Sequence, residues 1–235
     1  QRIGFTGAAS MYLREVADSV RTFQIAVPWR ASSRLAGSAP SCAEVPVLLV
    51  HGYFCNRQIW QPYAAWLAQR GHAVEAVDLE PAFGSIDDYV PDISAAVQRL
   101  RERTGAHRVA LVCHSMGGLA ARAWIRATGG DLAARVVTIG TPHRGTFNAR
   151  FGVGINTQQM RIDSAWLQAL EASETAEVRS RFTVLLSHHD NIVAPQAIQT
   201  LPGARTVEFS GIGHLSLAYD RRIWTAVDKA LAWAD

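Results

Sequence analysis

Residues 108–113 form a short apolar run, and His114-Ser115-Met116-Gly117-Gly118 follows it at the head of a helical pattern over residues 116–127. A sharp strand-to-helix turn lifts a serine side chain clear of the backbone, provided its neighbours two residues away are small. Gly117 supplies one such neighbour, and Cys113 stands where glycine is usual. Cysteine is small enough to keep the turn plausible. A serine here could also serve only as a helix N-cap. The strand–turn–helix setting favours Ser115 as a nucleophile. A serine hydroxyl is a weak nucleophile, so that role demands a base, an acid that orients the base, and donors for the oxyanion.

The other strand ends offer those parts. Residues 182–187 lead into His188-His189-Asp190-Asn191-Ile192-Val193-Ala194-Pro195. Asp190 is placed to fix the tautomer of a histidine on the next loop. Asp163 and Asp220 are rival acids without a strand before them, and a loop-capping role is the plainer alternative for Asp190. Residues 206–209 lead into Gly211-Ile212-Gly213-His214-Leu215, which makes His214 the expected base. Among the seven other histidines His143 is the best rival, and it is expected to shape its own loop. Residues 47–50 lead into His51-Gly52-Tyr53-Phe54. A His-Gly turn there could be purely structural. Before a serine elbow it can aim an amide at the nucleophile, so Tyr53 and Met116 are the expected oxyanion donors.

Stepping outward, these ends belong to a regular alternation. Strands are expected at 47–50, 73–77, 108–113, 135–139, 182–187 and 206–209. Helices are expected at 8–23, 59–70, 86–103, 116–127 and 217–234, with Pro91 marking a fresh start inside the third. Nearly continuous apolar strands separated by helices imply an α/β fold with a mostly parallel sheet covered on both faces. Ligands in such sheets bind beyond the carboxyl ends of the strands. The 235 residues suit a single domain (1–235), with an N-terminal helix and a Ser/Ala/Gly/Pro-rich connection over residues 1–44.

Composition narrows the class. The net charge is +3 and Lys229 is the only lysine, with no basic run that would track phosphates, so no nucleic-acid partner is expected. No apolar stretch reaches the roughly 18–20 residues of a membrane span. The chain starts at Gln1 rather than Met. That leaves room for a removed signal peptide or anchor, and so for a secreted, periplasmic or anchored location. The three cysteines, Cys42, Cys55 and Cys113, cannot all pair within one chain. Cys113 is expected to be a buried thiol. Cys42 and Cys55 flank one strand and could bridge, although free thiols are the plainer expectation. Oligomeric state is left open.

The segments His51-Gly52, Cys113-His114-Ser115-Met116-Gly117-Gly118, Thr141-Pro142-His143-Arg144-Gly145-Thr146, Asp190–Pro195 and Gly213-His214 resemble the bacterial lipase/esterase branch of the α/β-hydrolase superfamily. The resemblance runs from about Val45 to the C-terminus. It implies the α/β-hydrolase fold and its Ser…Asp…His order, here Ser115, Asp190 and His214. The Thr-Pro-His-Arg-Gly-Thr segment is similar to a loop of true lipases. Dehalogenases and epoxide hydrolases would need an aspartate where Ser115 stands. Residues 146–179 would form a small lid or cap, with residues 164–172 as one helix. Larger lipases of this kind often bind a structural calcium. No confident second carboxylate for one is found here, so no metal and no cofactor are expected.

The expected activity is therefore hydrolysis of apolar acyl or aryl esters through an acyl-enzyme. Substrate-lining residues are expected to be Tyr53, Phe54, Trp60, Phe147, Met160, Ile192, Val193 and Leu215, with Trp60 and Met160 the most prone to be core instead. An acyltransferase or thioesterase would use the same triad, and amide or polymer-ester hydrolysis is equally open. A non-catalytic binding module would be expected to have lost at least one of the three residues, and all three are present.

Overall fold

The computed structural model describes residues 3–29 and 45–232. Six strands form one sheet in the order β2-β1-β3-β4-β5-β6. They are β1 (Val47–Val50), β2 (Val74–Val77), β3 (Val109–His114), β4 (Ala133–Ile139), β5 (Phe182–Ser187) and β6 (Arg205–Phe209). Every neighbouring pair is parallel. Residues in the central strands are buried on both faces, which is why they read as unbroken apolar runs rather than as alternation. β1 shows the two faces clearly. Leu48 and Val50 enter one core with Ile93, Leu119 and Trp124, while Val47 and Leu49 enter the other with Tyr63, Leu67 and Trp224.

The helices cover both faces. α4 (Val90–Thr104) and α5 (Met116–Thr128) lie on the first core, and α3 (Gln61–Ala68) and α9 (Arg221–Leu231) on the second. Pro91 sits in the first turn of α4, as the sequence predicts, and Gly105 ends it at φ 71°. Between β4 and β5 lie three short helices, α6 (Ile155–Gln159), α7 (Ala165–Ala172) and α8 (Ala176–Ser180). Ser164 and Thr175 cap the last two with their side chains.

Three expected helices differ at their ends. The first begins earlier, as α1 (Phe5–Val20), and continues through a wider-wound stretch, Arg21–Ala26, into a last turn, α2 (Val27–Trp29). The second is divided: a tight turn at Arg57–Trp60, capped by Asn56, precedes α3. The last is interrupted because the Asp220 carboxylate accepts the Arg222 N–H at 2.8 Å and starts α9 afresh. Most of the expected Ser/Ala/Gly/Pro connection, and Cys42 within it, lies outside the described residues, so the Cys42–Cys55 pairing does too. Cys113 carries a buried free thiol.

The strand order decides where a ligand goes. From β1 the chain crosses to β2 on one side and then to β3 on the other. The crevice at the carboxyl ends of β1 and β3 is the switch point of the sheet.

Candidate active site

At that switch point Gly52, just after β1, abuts Ser115, just after β3. A Cβ on Gly52 would lie 2.8 Å from the Ser115 Cβ. Ser115 has φ 54° and ψ −127°, a conformation that costs a non-glycine residue about 1–3 kcal/mol. Three hydrogen bonds hold it there. The Ser115 N–H donates to the Ile139 carbonyl at 2.9 Å, and the Ser115 carbonyl accepts from the Gly118 N–H at 3.0 Å and the Thr141 hydroxyl at 2.9 Å. Gly117 lets α5 pack end-on against β1, since a Cβ there would meet the His51 and Val50 carbonyls at 2.5 and 2.6 Å. Cys113 is accommodated because its side chain lies wholly inside the first core.

The β5 loop turns on Asp190. Its Oδ1 accepts the Ile192 and Val193 amides at 2.9 and 2.7 Å, and its Oδ2 meets His214 Nδ1 at 2.8 Å. Both residues are buried. A carboxylate can only accept, so Nδ1 carries the proton and Nε2 keeps its lone pair. Gly140, at φ 59°, leaves room for the pair; a Cβ there would stand 3.2 Å from Asp190 Oδ2 and 3.3 Å from His214 Nδ1. Burial pulls the His214 imidazole down, but the charge and hydrogen bond of Asp190, with Glu15 adding, carry it above its ordinary 6.5.

The His214 loop has further supports. The Asn191 side chain accepts the His214 N–H at 2.9 Å. His114 Nε2 donates to the His214 carbonyl at 3.0 Å, and the two rings lie 4.8 Å apart. His114 is pushed down to about 3 by burial and by His214, so it stays neutral. The rival residues have other duties. His143 is buried, paired with Thr138 at 2.9 Å, and held well below 6.5 by burial and by Arg122. Asp220 caps α9 and pairs with Arg14 and Arg222. Asp163 is exposed in the segment between β4 and β5.

Two apolar cavities meet at Ser115. The larger, about 480 Å³, also holds His214 and is walled by Phe23, Tyr53, Phe54, Phe83, Phe151, Ile192 and Leu215. The smaller, about 300 Å³, runs under Thr146, Ala149, Thr157, Met160 and Val193. Tyr53, Phe151, Gly152 and Ile192 line both.

A family model for the alpha/beta hydrolase family matches residues 47–227. The chain belongs to that family. Among curated proteins this alpha/beta hydrolase is 30% identical over 187 residues to a triacylglycerol lipase of Burkholderia plantarii, covering 75% of this chain and 50% of the relative. It is 31% identical over 176 residues to a triacylglycerol lipase of Pseudarthrobacter phenanthrenivorans, covering 70% and 52%. The chain thus spans about half the length of these relatives. Among solved structures, a mature lipase of Bacillus licheniformis superposes with TM-score 0.70 at 16% identity, over 82% of this chain and 94% of that one. Lipase B of Aspergillus fumigatus gives TM-score 0.69 at 15% identity, over 88% and 55%. At those identities the structures speak for the fold. They agree with the family match in giving this chain the alpha/beta hydrolase fold.

Within the hydrolase, the expected lining residues divide. Tyr53, Phe54, Met160, Ile192, Val193 and Leu215 line a cavity. Trp60 does not. It is fully buried in the second core against Tyr63, with its ring set edge-on to His114, so it backs the site from inside. Phe147 does not either; it meets Phe151 edge to face at 5.9 Å and stands one ring back. Phe23, Phe83 and Phe151, and Glu15 in α1, carry no motif in the sequence that marks them for the site. Asn191 was in reach, one residue after the expected acid. Among the described residues no group of three or more His, Cys, Asp or Glu gathers as a metal site. No helix among them is long and apolar enough to cross a membrane.

Proposed function

We propose that the chain hydrolyses uncharged carboxylic esters, with Ser115 as nucleophile, His214 as base and Asp190 as the acid that orients it. The observation that carries this is the buried Asp190–His214 contact of 2.8 Å on the wall of the same apolar cavity as Ser115. Ser115 Oγ attacks the ester carbonyl and passes its proton to His214 Nε2. Negative charge develops on the carbonyl oxygen. The Tyr53 and Met116 amides receive it, Met116 opening α5, where the helix dipole favours negative charge. The carbon–oxygen bond to the alcohol breaks as His214 returns the proton. Water then attacks the acyl-enzyme by the same route and frees the acid and Ser115.

Two apolar cavities meeting at one serine suit an ester with apolar groups on both sides of its carbonyl. The curated relatives named triacylglycerol lipases support a lipid ester as one such substrate. The test is hydrolysis of para-nitrophenyl esters from acetyl to palmitoyl by wild type and Ser115→Ala. Activity in the wild type and its loss in the variant supports the assignment. Equal activity in both would move the chemistry to another residue, and inactivity of the wild type on the whole series would overturn the ester reading. Product analysis with an added alcohol separates hydrolysis from acyl transfer.

A further inference from the structure

α1 buries the wrong kind of residue for an ordinary amphipathic helix. Of its 16 residues Glu15 alone is buried, while Phe5, Tyr12 and Leu13 are 90%, 67% and 69% exposed. A buried carboxylate needs donors, and Glu15 takes them from the loop that carries His214. Its Oε1 accepts the Leu215 N–H at 2.9 Å and its Oε2 the Ser216 N–H at 3.0 Å. These are the two amides that follow the base. Gly213, just before it, makes room, since a Cβ there would lie 2.4 Å from Glu15 Oε2. Further contacts dock α1 on the same loop. The Ser216 hydroxyl donates to Asp18 at 2.7 Å, Arg14 pairs with Asp220 at 3.1 Å, and Thr22 meets the Tyr219 hydroxyl at 2.9 Å. The chain then brings Phe23 to the wall of the catalytic cavity. On the helix side, Arg14, Glu15, Asp18, Thr22 and Phe23 all lie outside residues 47–227, which match the family.

We propose that Glu15 is a positioning residue of the active site: its carboxylate clamps the Leu215 and Ser216 amides and holds His214 in place beside Ser115. This rests on the reading of His214 as the base. The clamp also has an electrostatic side. Among the described residues, the titratable groups facing His214 are Asp190 from the β5 loop, His114 and behind it His51 from the strand ends, and Glu15 from α1, with Asp18 at Ser216. Arg14 is engaged by Asp220, and Arg21 lies over the Tyr219 ring. Glu15 is thus the second negative charge, after Asp190, that favours protonated His214.

The experiment is the pH profile of kcat/KM on a para-nitrophenyl ester for wild type, Glu15→Gln and Glu15→Asp, with Ser115→Ala and His214→Ala as references. Neutral His214 is the active form, so removing the Glu15 charge lowers its pKa. The acid limb of Glu15→Gln should move down by roughly half a pH unit. Glu15→Asp keeps the charge but is one methylene too short for both amides. Its limb should stay near wild type while kcat falls about 10-fold at unchanged KM. An acid limb of Glu15→Gln that coincides with wild type would overturn the proposal. So would a wild-type kcat in Glu15→Asp, which carries the test by itself if the glutamine variant does not fold. Activity surviving in His214→Ala would instead sink the underlying assignment of the base.

Discussion

At the residue scale, the proposed ester hydrolysis depends on one proton site. His214 is raised above 6.5, while His114, pushed down to about 3, stays out of the working range. In the proposed mechanism, protonation of His214 removes the base. A plot of kcat/KM against pH should therefore fall with a single acid limb as pH drops through a value somewhat above 6.5. Two limbs would implicate a second base. Asp190→Asn should lower kcat by about 10⁴-fold, because an amide no longer fixes Nδ1–H. Asp163→Asn, at an exposed position, should leave kcat near wild type. The reverse pattern in single-turnover rates would reassign the acid. Ser115, His214 and Asp190, the proposed nucleophile, base and acid, stand out in the sequence because each follows a strand and has a type that such chemistry restricts. Glu15 does not, since a glutamate in a helix ordinarily faces water.

At the element scale, close approach of backbones is the governing constraint. Gly117→Ala would force the head of α5 off the His51 and Val50 carbonyls, which a Cβ would meet at 2.5 and 2.6 Å. We expect a loss of about 1–3 kcal/mol in urea unfolding, with kcat reduced as Ser115 shifts. The segment between β4 and β5 is tied to α5 by an ion pair of Arg122 with Glu174, whose side chains are 1% and 3% exposed. Arg179 adds a second contact to Glu174 at 3.1 Å. Glu174→Ala would strand a buried guanidinium and should cost about 3–5 kcal/mol in the same measurement. A cost below about 1 kcal/mol would mean that water reaches Arg122. Strands were legible to within a residue or two; β1, β3 and β5 are buried on both faces and read as plain apolar runs, while β6 at the sheet edge is only partly buried. Helix ends were less so. They turned on caps, such as Asn56 and Asp220, whose side chains act on backbone amides nearby.

At the scale of the whole molecule, the substrate space is assembled from distant parts of the chain. Phe23 precedes β1, Tyr53 and Phe54 follow it, and Phe151 lies between β4 and β5. Tyr53 links two of these regions: its hydroxyl donates to the Val153 carbonyl at 2.9 Å. Ala149→Phe should fill much of the 300 Å³ cavity beside Met160. It should shorten the preferred chain in either the acyl or the alcohol series, raising KM for octanoyl or octyl esters about 10-fold. An unchanged preference in both series would remove that cavity from the substrate's path.

The sequence by itself determined the α/β-hydrolase fold and the strand ends at which the proposed nucleophile, acid and base stand. Those features rest on local rules: apolar runs for buried strands, small residues at a sharp turn, and reactive residue types just beyond. Tertiary structure alone decided which aromatic rings face substrate and which face the core, removing Trp60 and Phe147 from the lining and adding Phe23, Phe83 and Phe151. It also brought α1 against the loop that carries His214. The physical reason is common to both: a side chain's environment is set by what packs against it from far along the chain. Glu15 and Ser216 are joined across 201 positions of sequence that no local pattern spans.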